Sequence, residues 1–144
     1  MREDPKRLRL AIEEIIRWTD PAISVMRVAT RDAQIAGKPV RAGDRVVLWL
    51  PSANRDPEIF ERPYEFDVTR HPNLHVGFGA GEHFCLGAPL AKAEIRLTLE
   101  ELLDRYDKIE ITGPFERVQS NFVGGLKRLP VKLTRKASHA RATS

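Results

Sequence analysis

The sequence predicts an α+β domain in which two long helices flank a set of short strands. Two segments, about 5–19 and 86–106, carry apolar side chains at the three- and four-residue spacing of a helix. Short β-branched and aromatic runs separated by glycine, proline and aspartate are typical of small antiparallel sheets. The segment 52–75 has no clear periodicity and indicates a long ordered loop.

The first helix is predicted over Pro5–Thr19. Asp4 is a good N-cap, and Pro5 suits the first helical position. The Asp20-Pro21 pair ends the helix, because the residue before a proline avoids the helical region. The apolar residues that share one face are Leu8, Ala11, Ile12, Ile15 and Ile16.

Strands are expected directly after this helix. The predicted strands are Ser24–Thr30, Ala33–Ala36, a short strand beginning at Val40, and Arg45–Leu50. The last of these is so rich in β-branched and aromatic residues that we expect it to be buried.

The long loop Ser52–His75 is followed by a glycine-rich turn, 76–87, around the only cysteine. The second helix is predicted over Leu86–Tyr106. Two alternating runs, Lys108–Thr112 and Leu129–Thr134, are predicted as strands, with Ser120–Gly125 as a hairpin tip between them.

Composition and charge exclude several classes of protein. The 144 residues carry a formal charge of +4. Three of the basic residues lie in a polar tail, residues 135–144, which we expect to be disordered. Residues 1–134 are expected to form the domain. Outside the tail, positive and negative charges are nearly balanced and no basic stripe is present, so no nucleic-acid partner is expected. No apolar run reaches the roughly 18 residues of a membrane span, and no export signal is visible, so a cytoplasmic site is the default.

The only cysteine, Cys85, lies where the glycine-rich turn becomes the second helix. Free amides at a helix start stabilise a thiolate, and Gly79, Gly81 and Gly87 let the backbone approach a flat partner such as haem. Two other interpretations remain open at this point: a buried free cysteine, which is common, and a nucleophile assisted by His83. A zinc site is weaker, because other thiolate ligands are missing.

The segment Phe78–Gly87 (FGAGEHFCLG) resembles the haem-binding signature of the cytochrome P-450 superfamily at every fixed position. The resemblance implies that Cys85 is the axial thiolate of haem b and that Phe78 packs beside its sulfur. It also implies that His83 and His75 hydrogen-bond a haem propionate. The helix that follows is similar to the family's as well, with Lys92 where arginine is more usual.

Glu14 and Arg17 form a Glu-x-x-Arg pair on the first helix. Alone, such a pair is most simply a surface ion pair worth about 0.2–0.5 kcal/mol, since both side chains lie away from the apolar stripe. Its position upstream of the cysteine loop resembles the family's helix K motif, which implies a buried pair that anchors the irregular loop. The family often adds a third basic residue before a phenylalanine. Glu65 stands there instead, so Arg62 is the expected substitute.

The resemblance also implies roles in binding. Arg27 occupies the position of a propionate-binding arginine, for which a bidentate contact is natural chemistry; without the other motifs, a solvent-facing strand arginine is equally plausible. The residues in segments that resemble substrate-contacting regions are Ile23, Val25, Met26, Phe122 and Val123. Several short motifs are similar to a bacterial subgroup that hydroxylates methyl-branched lipids and sterol side chains.

The implied fold is the C-terminal third of the family's: helix K, small β-sheets, the irregular meander, the cysteine loop, helix L and a terminal hairpin. The implied function is that of a haem-thiolate monooxygenase that receives electrons from a ferredoxin or another electron-transfer protein. Arg62, Arg70 and Lys92 are expected on the face toward that partner. No segment resembles the helix that crosses the distal side of the haem, so we expect no turnover by this chain alone. The alternative is a non-catalytic remnant with weak haem binding.

Overall fold

A computed structural model of the protein describes residues 4–137. Helix α1 runs over Pro5–Thr19, the bounds that the sequence predicts. The carboxylate of Asp4 accepts hydrogen bonds from the amides of Lys6 and Arg7, and this cap satisfies two donors that have no partner within the helix. The helix ends at Asp20, whose φ of 40° is left-handed and turns the chain away.

The short strands that follow form two antiparallel pairs. Strand β1 (Ser24–Val28) pairs with β4 (Arg45–Trp49), and β2 (Ala33–Ile35) pairs with β3 (Lys38–Val40). Strands β1, β2 and β4 begin where the sequence predicts and end one or two residues earlier than expected. The third strand is displaced: the sequence predicts that it begins at Val40, whereas β3 ends there.

The prediction that strand β4 is buried is wrong. Val47, Leu48 and Trp49 are 44–55% exposed, because within the described residues β4 pairs only with β1 and no further layer covers the pair. Leu50 is not part of the strand but begins a short helix, α2 (Leu50–Ala53), which the sequence analysis did not identify. Its proline, Pro51, lies in the first turn, where a missing amide proton costs nothing.

Helix α3 (Ala88–Arg105) packs against α1 and defines the core. Leu8, Ile12 and Ile16 of α1 are buried there against three partly buried residues, namely Ile95 and Leu99 of α3 and Phe78 of the cysteine loop. The helix begins two residues later than predicted, so Cys85 and Leu86 remain in the loop. The core therefore places the cysteine loop between the two helices.

The C-terminal strands form two further antiparallel pairs. Strand β5 (Tyr106–Ile111) pairs with β8 (Val131–Arg135), and β6 (Glu116–Arg117) pairs with β7 (Leu126–Arg128). The predicted hairpin tip is the loop between β6 and β7.

Three residues of the predicted basic tail, 135–137, are described by the structure. Arg135 is the last residue of β8 and lies opposite Tyr106, and the amide of Lys136 donates to the carbonyl of Arg105. The rest of the tail, from residue 138, lies outside the described residues. No helix in the described part of the chain combines the length and the apolar character that crossing a bilayer requires.

Candidate functional site

Backbone hydrogen bonds close the cysteine loop on itself. The amide of Cys85 donates to the carbonyl of Phe78 at 2.9 Å, and the amide of Gly79 donates to the carbonyl of Val76 at 2.7 Å. Gly79 and Gly81 have φ values of +75° and +69°, which favour glycine because a side chain is strained there. The Cys85 side chain is exposed at the end of this loop.

The loop also approaches helix α1 closely. A methyl group at Gly77 would lie 2.8 Å from Cγ2 of Ile16, so this position cannot carry a side chain without a shift of the loop or the helix. A methyl group at Gly87 would lie 3.7 Å from Sγ of Cys85, an ordinary contact distance. Gly77 is therefore required by the protein's own packing, whereas Gly87 keeps the space beside the sulfur free.

Cys85 borders an apolar cavity of about 750 Å³ between the loop and the β1–β4 sheet. This volume lies within the range of small-molecule and cofactor sites. The side chains that border it include Val25, Arg27, Leu48, Trp49, Phe78, His83 and Cys85. A larger cavity of about 1010 Å³ lies beside Asp20 and Arg55, but Cys85 does not border it.

The residues around the smaller cavity fit a haem. An apolar wall suits a porphyrin ring, Cys85 offers a thiolate for iron, and Arg27 and His83 offer donors for the propionate carboxylates. Within the described residues no group of three or more histidine, cysteine and acidic side chains could hold a bare metal ion.

Glu14 and Arg17 are fully buried, so they are not a surface ion pair. Nε and Nη2 of Arg17 donate to the two carboxylate oxygens of Glu14, each at 2.8 Å. Arg17 also donates to the carbonyls of Asn54, Pro63 and Glu65. Helix α1 is thus buried on two faces: the apolar face meets α3, and the polar face meets the irregular loop.

Glu14 holds the far end of the same loop. Its carboxylate accepts hydrogen bonds from the amide of Asp67 at 2.9 Å and from the side-chain amide of Asn73 at 3.0 Å. Burial works to raise the pKa of Glu14, but hydrogen bonds from Arg17 and Asp67 outweigh it and hold the pKa below its ordinary value. The carboxylate is therefore charged at neutral pH.

The third basic partner is Arg70, and the expectation of Arg62 is wrong. Nε of Arg70 lies 3.2 Å from Oε2 of Glu14, and its other nitrogens donate to the carbonyls of Glu61, Arg62 and Glu65. The Arg62 side chain is 56% exposed and pairs with the Glu65 carboxylate. The backbone of Arg62 has a φ of 48°, so the chain turns at this residue. Arg70 is 8% exposed and is not available for a partner protein.

Asn54 joins three parts of the site that the sequence analysis did not connect. Its Oδ1 accepts from the amide of Val76 at 2.7 Å, its Nδ2 donates to Oδ2 of Asp20 at 2.9 Å, and its carbonyl accepts from Arg17. Burial raises the pKa of Asp20 to about 6, against the opposing effects of Asn54 and Arg55. Oδ1 of Asp20 has no hydrogen-bond partner in the described part of the chain.

His75 is not among the side chains that border the cavity beside Cys85, and its contact with a propionate stays a prediction. Its Nε2 lies 3.0 Å from Oε2 of Glu13, and its Nδ1 accepts a hydrogen bond from the amide of Gly77 at 3.2 Å. Both ring nitrogens are therefore engaged by the protein. Of the predicted propionate contacts, Arg27 and His83 border the cavity.

The predicted substrate contacts fall into two groups. Val25 borders the cavity, whereas Met26, the next residue in strand β1, points to the opposite face and is half exposed. Ile23, Phe122 and Val123 come together at one end of the sheet. There the amide of Ile23 donates to the carbonyl of Phe122, and Val123 bridges to Ala22.

Glu13, Asp20 and Asn54 belong to the site although no sequence pattern identifies them as part of it. The sequence indicates Asp20 only as the end of a helix and places Asn54 in the long loop Ser52–His75. Glu13 precedes a residue of the recognised motif, but no local pattern indicates that its partners, His75 and Lys92, lie 62 and 79 positions away.

Comparison with known proteins gives the class of protein. The family model described as Cytochrome P450 matches residues 2–134, and the chain belongs to the cytochrome P450 family. The resemblance seen in the cysteine motif is thereby confirmed, as is the prediction of a fold that corresponds to a C-terminal part of the family's.

Three relatives illustrate the match. The chain is 46% identical to cytochrome P450-terp of Pseudomonas sp over 134 residues, which is 93% of this chain and 31% of that protein. It is 46% identical to the methyl-branched lipid omega-hydroxylase of Mycobacterium tuberculosis over 122 residues, 84% of this chain and 28% of that protein. The crystal structure of CYP109E1 from Bacillus megaterium in complex with testosterone matches with a TM-score of 0.86 and 41% identity, over 91% of this chain and 37% of that one. The chain thus spans about a third of the length of these relatives.

Proposed function

We propose that the chain is the haem-binding part of a bacterial cytochrome P450 monooxygenase, with Cys85 as the thiolate ligand of the iron. The observation that carries the proposal is the position of Cys85 at the end of a closed glycine-rich loop beside an apolar cavity. When bound, the haem supplies the oxygen chemistry, and the thiolate donates electron density to its iron. The chain's own residues bind and orient the group.

Haem b is the form that the residues favour. Covalent attachment of a c-type haem uses a C-x-x-C-H motif, and this chain has one cysteine. A non-covalent haem needs partners for its two propionates. Arg27 and His83, which border the cavity from different elements, are the proposed partners.

Cys85→Ala is the direct test. The haem-loaded protein is reduced, carbon monoxide is added, and the absorption spectrum is recorded. We expect the thiolate-type band to be lost in Cys85→Ala and retained in the control His83→Asn, which removes a propionate donor but no iron ligand. A thiolate-type band in Cys85→Ala would overturn the assignment. Activity without haem that a thiol reagent abolishes would favour a cysteine nucleophile assisted by His83.

The proposed substrate is a small apolar molecule of lipid or steroid character. One relative is named for methyl-branched lipids, and one similar structure holds testosterone. The side chains proposed to contact the substrate are Ile23, Val25, Phe122 and Val123; Met26 is left out because it lies on the other face of β1. A branched lipid or sterol that shifts the haem absorption band on titration would support this class.

The proposed electron donor is a ferredoxin or a similar acidic protein. Arg62 remains a candidate contact because its side chain is exposed, whereas Arg70 is buried against Glu14 and Lys92 is neutralised by Glu13. Electrostatic steering predicts that the reduction rate falls as salt rises and falls further in Arg62→Glu. A rate that is insensitive to both changes would contradict this partner. Cytoplasmic location is proposed together with it.

We further propose that residues 1–144 alone do not hydroxylate a substrate. Large apolar side chains that border the cavity are exposed, including Trp49 at 55% and Leu48 at 44%, so water reaches the cavity. Water in such a site promotes side reactions of bound intermediates. The test is to load the chain with haem, add a reducing system and a branched lipid or sterol, and measure product. Coupled hydroxylation would overturn the proposal, whereas weak haem uptake without turnover would agree with a non-catalytic remnant.

A further inference from the structure

Glu13 lies at the centre of a second charged cluster, next to Glu14 in sequence but on another side of α1. Its two carboxylate oxygens accept hydrogen bonds from Nζ of Lys92 at 2.7 and 2.8 Å, and Oε2 also lies 3.0 Å from Nε2 of His75. The cluster joins α1, the residue before the glycine-rich loop, and α3. The proposed haem contacts use none of these three side chains.

The amide of Gly77 fixes the hydrogen-bonding roles of the two His75 ring nitrogens. The amide of Gly77 donates to Nδ1, so Nδ1 carries a lone pair and the ring proton is on Nε2, which donates to Glu13. His75 thereby holds Gly77, where a side chain would collide with Ile16 of helix α1. Burial works to raise the pKa of Glu13, but hydrogen bonds from Lys92 and His75 outweigh it and keep the carboxylate charged.

Lys92 acts on the same loop from the other side. Its Nζ lies 5.7 Å from the centroid of the Phe78 ring, within the range of a cation–π interaction. The carbonyl of Phe78 accepts the hydrogen bond from the amide of Cys85. A shift of Phe78 therefore moves the backbone that presents the cysteine sulfur.

We propose that Glu13 is a positioning residue for the cysteine loop: it holds Lys92 over the Phe78 ring and His75 against Gly77, and so sets the geometry of the thiolate that Cys85 presents to a haem iron. The inference rests on the proposed function. Residues that orient a metal ligand change the electronic properties of the metal without touching it. Glu13 acts on the loop at two points, on Phe78 through Lys92 and on Gly77 through His75, so its effect is mechanical and not only a matter of local charge.

The experiment compares Glu13→Gln, Lys92→Met and the double variant in the haem-loaded ferric protein. The readouts are the Fe–S stretching frequency by resonance Raman spectroscopy and the reduction potential. Both single variants release the restraint on Phe78, although one removes a negative charge and the other a positive charge. We expect the Fe–S frequency to shift in the same direction in both, with no larger shift in the double variant.

Two further variants serve as rescue and control. Lys92→Arg keeps a cation with forked donors for the Glu13 carboxylate and is expected to retain the original frequency. Glu100→Gln removes the partner of Arg96 in an exposed pair on the same helix and is expected to change nothing. If Glu13→Gln does not take up haem, Glu13→Asp replaces it, because it keeps the charge but shortens the reach. A shift in the direction seen in Lys92→Met then supports positioning, and an unshifted frequency overturns it.

The outcomes separate this inference from the proposed function. Unshifted frequencies in both single variants overturn the role of Glu13. Opposite shifts that cancel in the double variant would show a purely electrostatic effect and would overturn the positioning role of Glu13. Shifts of the two single variants that add in the double variant would also overturn it. If the unsubstituted protein shows no thiolate-type carbon monoxide band, the proposed function fails and the inference fails with it.

Discussion

The amide of Val76 donates to Oδ1 of Asn54 at 2.7 Å, across 22 positions of sequence. This bond connects the end of α2 to the start of the cysteine loop. The other end of the Asn54 side chain donates to Asp20, so a single buried amide joins the end of α1, helix α2 and the loop. The cysteine loop is therefore held at its base by an uncharged group, whereas the Glu14 carboxylate holds the preceding irregular loop through Asp67 and Asn73.

Asn54→Asp separates the two roles of this amide. The variant can still accept from Val76, but it places a second carboxylate against Asp20 and removes the donor. We expect a loss of stability at pH 8 that is largely recovered near pH 5, where one proton is shared by the two acids. Urea unfolding at both pH values tests this, and a loss that is the same at both pH values would contradict it. Asn54→Ala is expected to lose about 1–3 kcal/mol at either pH.

Asp20→Asn should stabilise the protein at high pH. The pKa of Asp20 is about 6 in the folded state against an ordinary value of 3.8, so between these values the folded state binds more protons than the unfolded state. Stability therefore falls as pH rises through this window and is constant above it. At pH 8 the gain in Asp20→Asn is about 1–3 kcal/mol, and it vanishes below pH 4.

The measurement for Asp20 is the free energy of unfolding as a function of pH. Glu58→Gln changes an exposed acid in the loop after α2 and is expected to leave the pH profile unchanged. A profile of Asp20→Asn parallel to that of the unsubstituted protein would contradict the raised pKa.

Arg70→Met and Arg62→Met form a matched pair. Arg70→Met removes donors from three backbone carbonyls and a contact to Glu14, and we expect a loss of about 1–3 kcal/mol. Arg62→Met breaks only exposed ion pairs and should cost less than about 1 kcal/mol. Chemical denaturation gives both values. Equal losses would indicate that Arg62 also supports the loop.

Glu14→Ala leaves Arg17 as a buried charge without its carboxylate. The expected loss of stability is about 3–5 kcal/mol, because the remaining partners of Arg17 are carbonyls. The control is Glu100→Ala, which breaks an exposed pair with Arg96. Denaturation and haem uptake are measured together. Normal stability and normal uptake in Glu14→Ala would contradict the buried anchor.

Gly77→Ala and Gly87→Ala distinguish packing within the protein from space for the cofactor. The methyl group at Gly77 meets Ile16 at 2.8 Å, so Gly77→Ala should cost about 1–3 kcal/mol even without haem. Gly87 has a φ of −79°, which alanine accepts, and its methyl group has ordinary room. We therefore expect Gly87→Ala to keep the stability of the apoprotein and to lower haem affinity. A spectroscopic haem titration beside thermal unfolding tests both, and unchanged affinity in Gly87→Ala would contradict the proposed cofactor position.

The sequence by itself determined the elements whose causes are local. The bounds of α1 follow from the Asp4 cap, the apolar spacing and the Asp20-Pro21 pair, and the structure places them where these features predict. The cysteine loop was equally recognisable, because its residues lie next to one another and the left-handed positions at Gly79 and Gly81 need glycine. The family could be recognised for the same reason, because its signature is the continuous segment Phe78–Gly87.

Only the tertiary structure decided which distant residues meet. Arg70 and Arg62 are both arginines in one aperiodic loop, and the left-handed turn at Arg62 is part of the path that brings Arg70 to Glu14. His75 is adjacent to the cysteine loop in sequence, yet its Nε2 faces Glu13 of helix α1, while its Nδ1 accepts from the amide of Gly77. Strand β4 has the composition of a buried strand, but burial depends on which layers pack over it. Periodicity along a chain carries no information about these pairings, because they form when separate elements pack together.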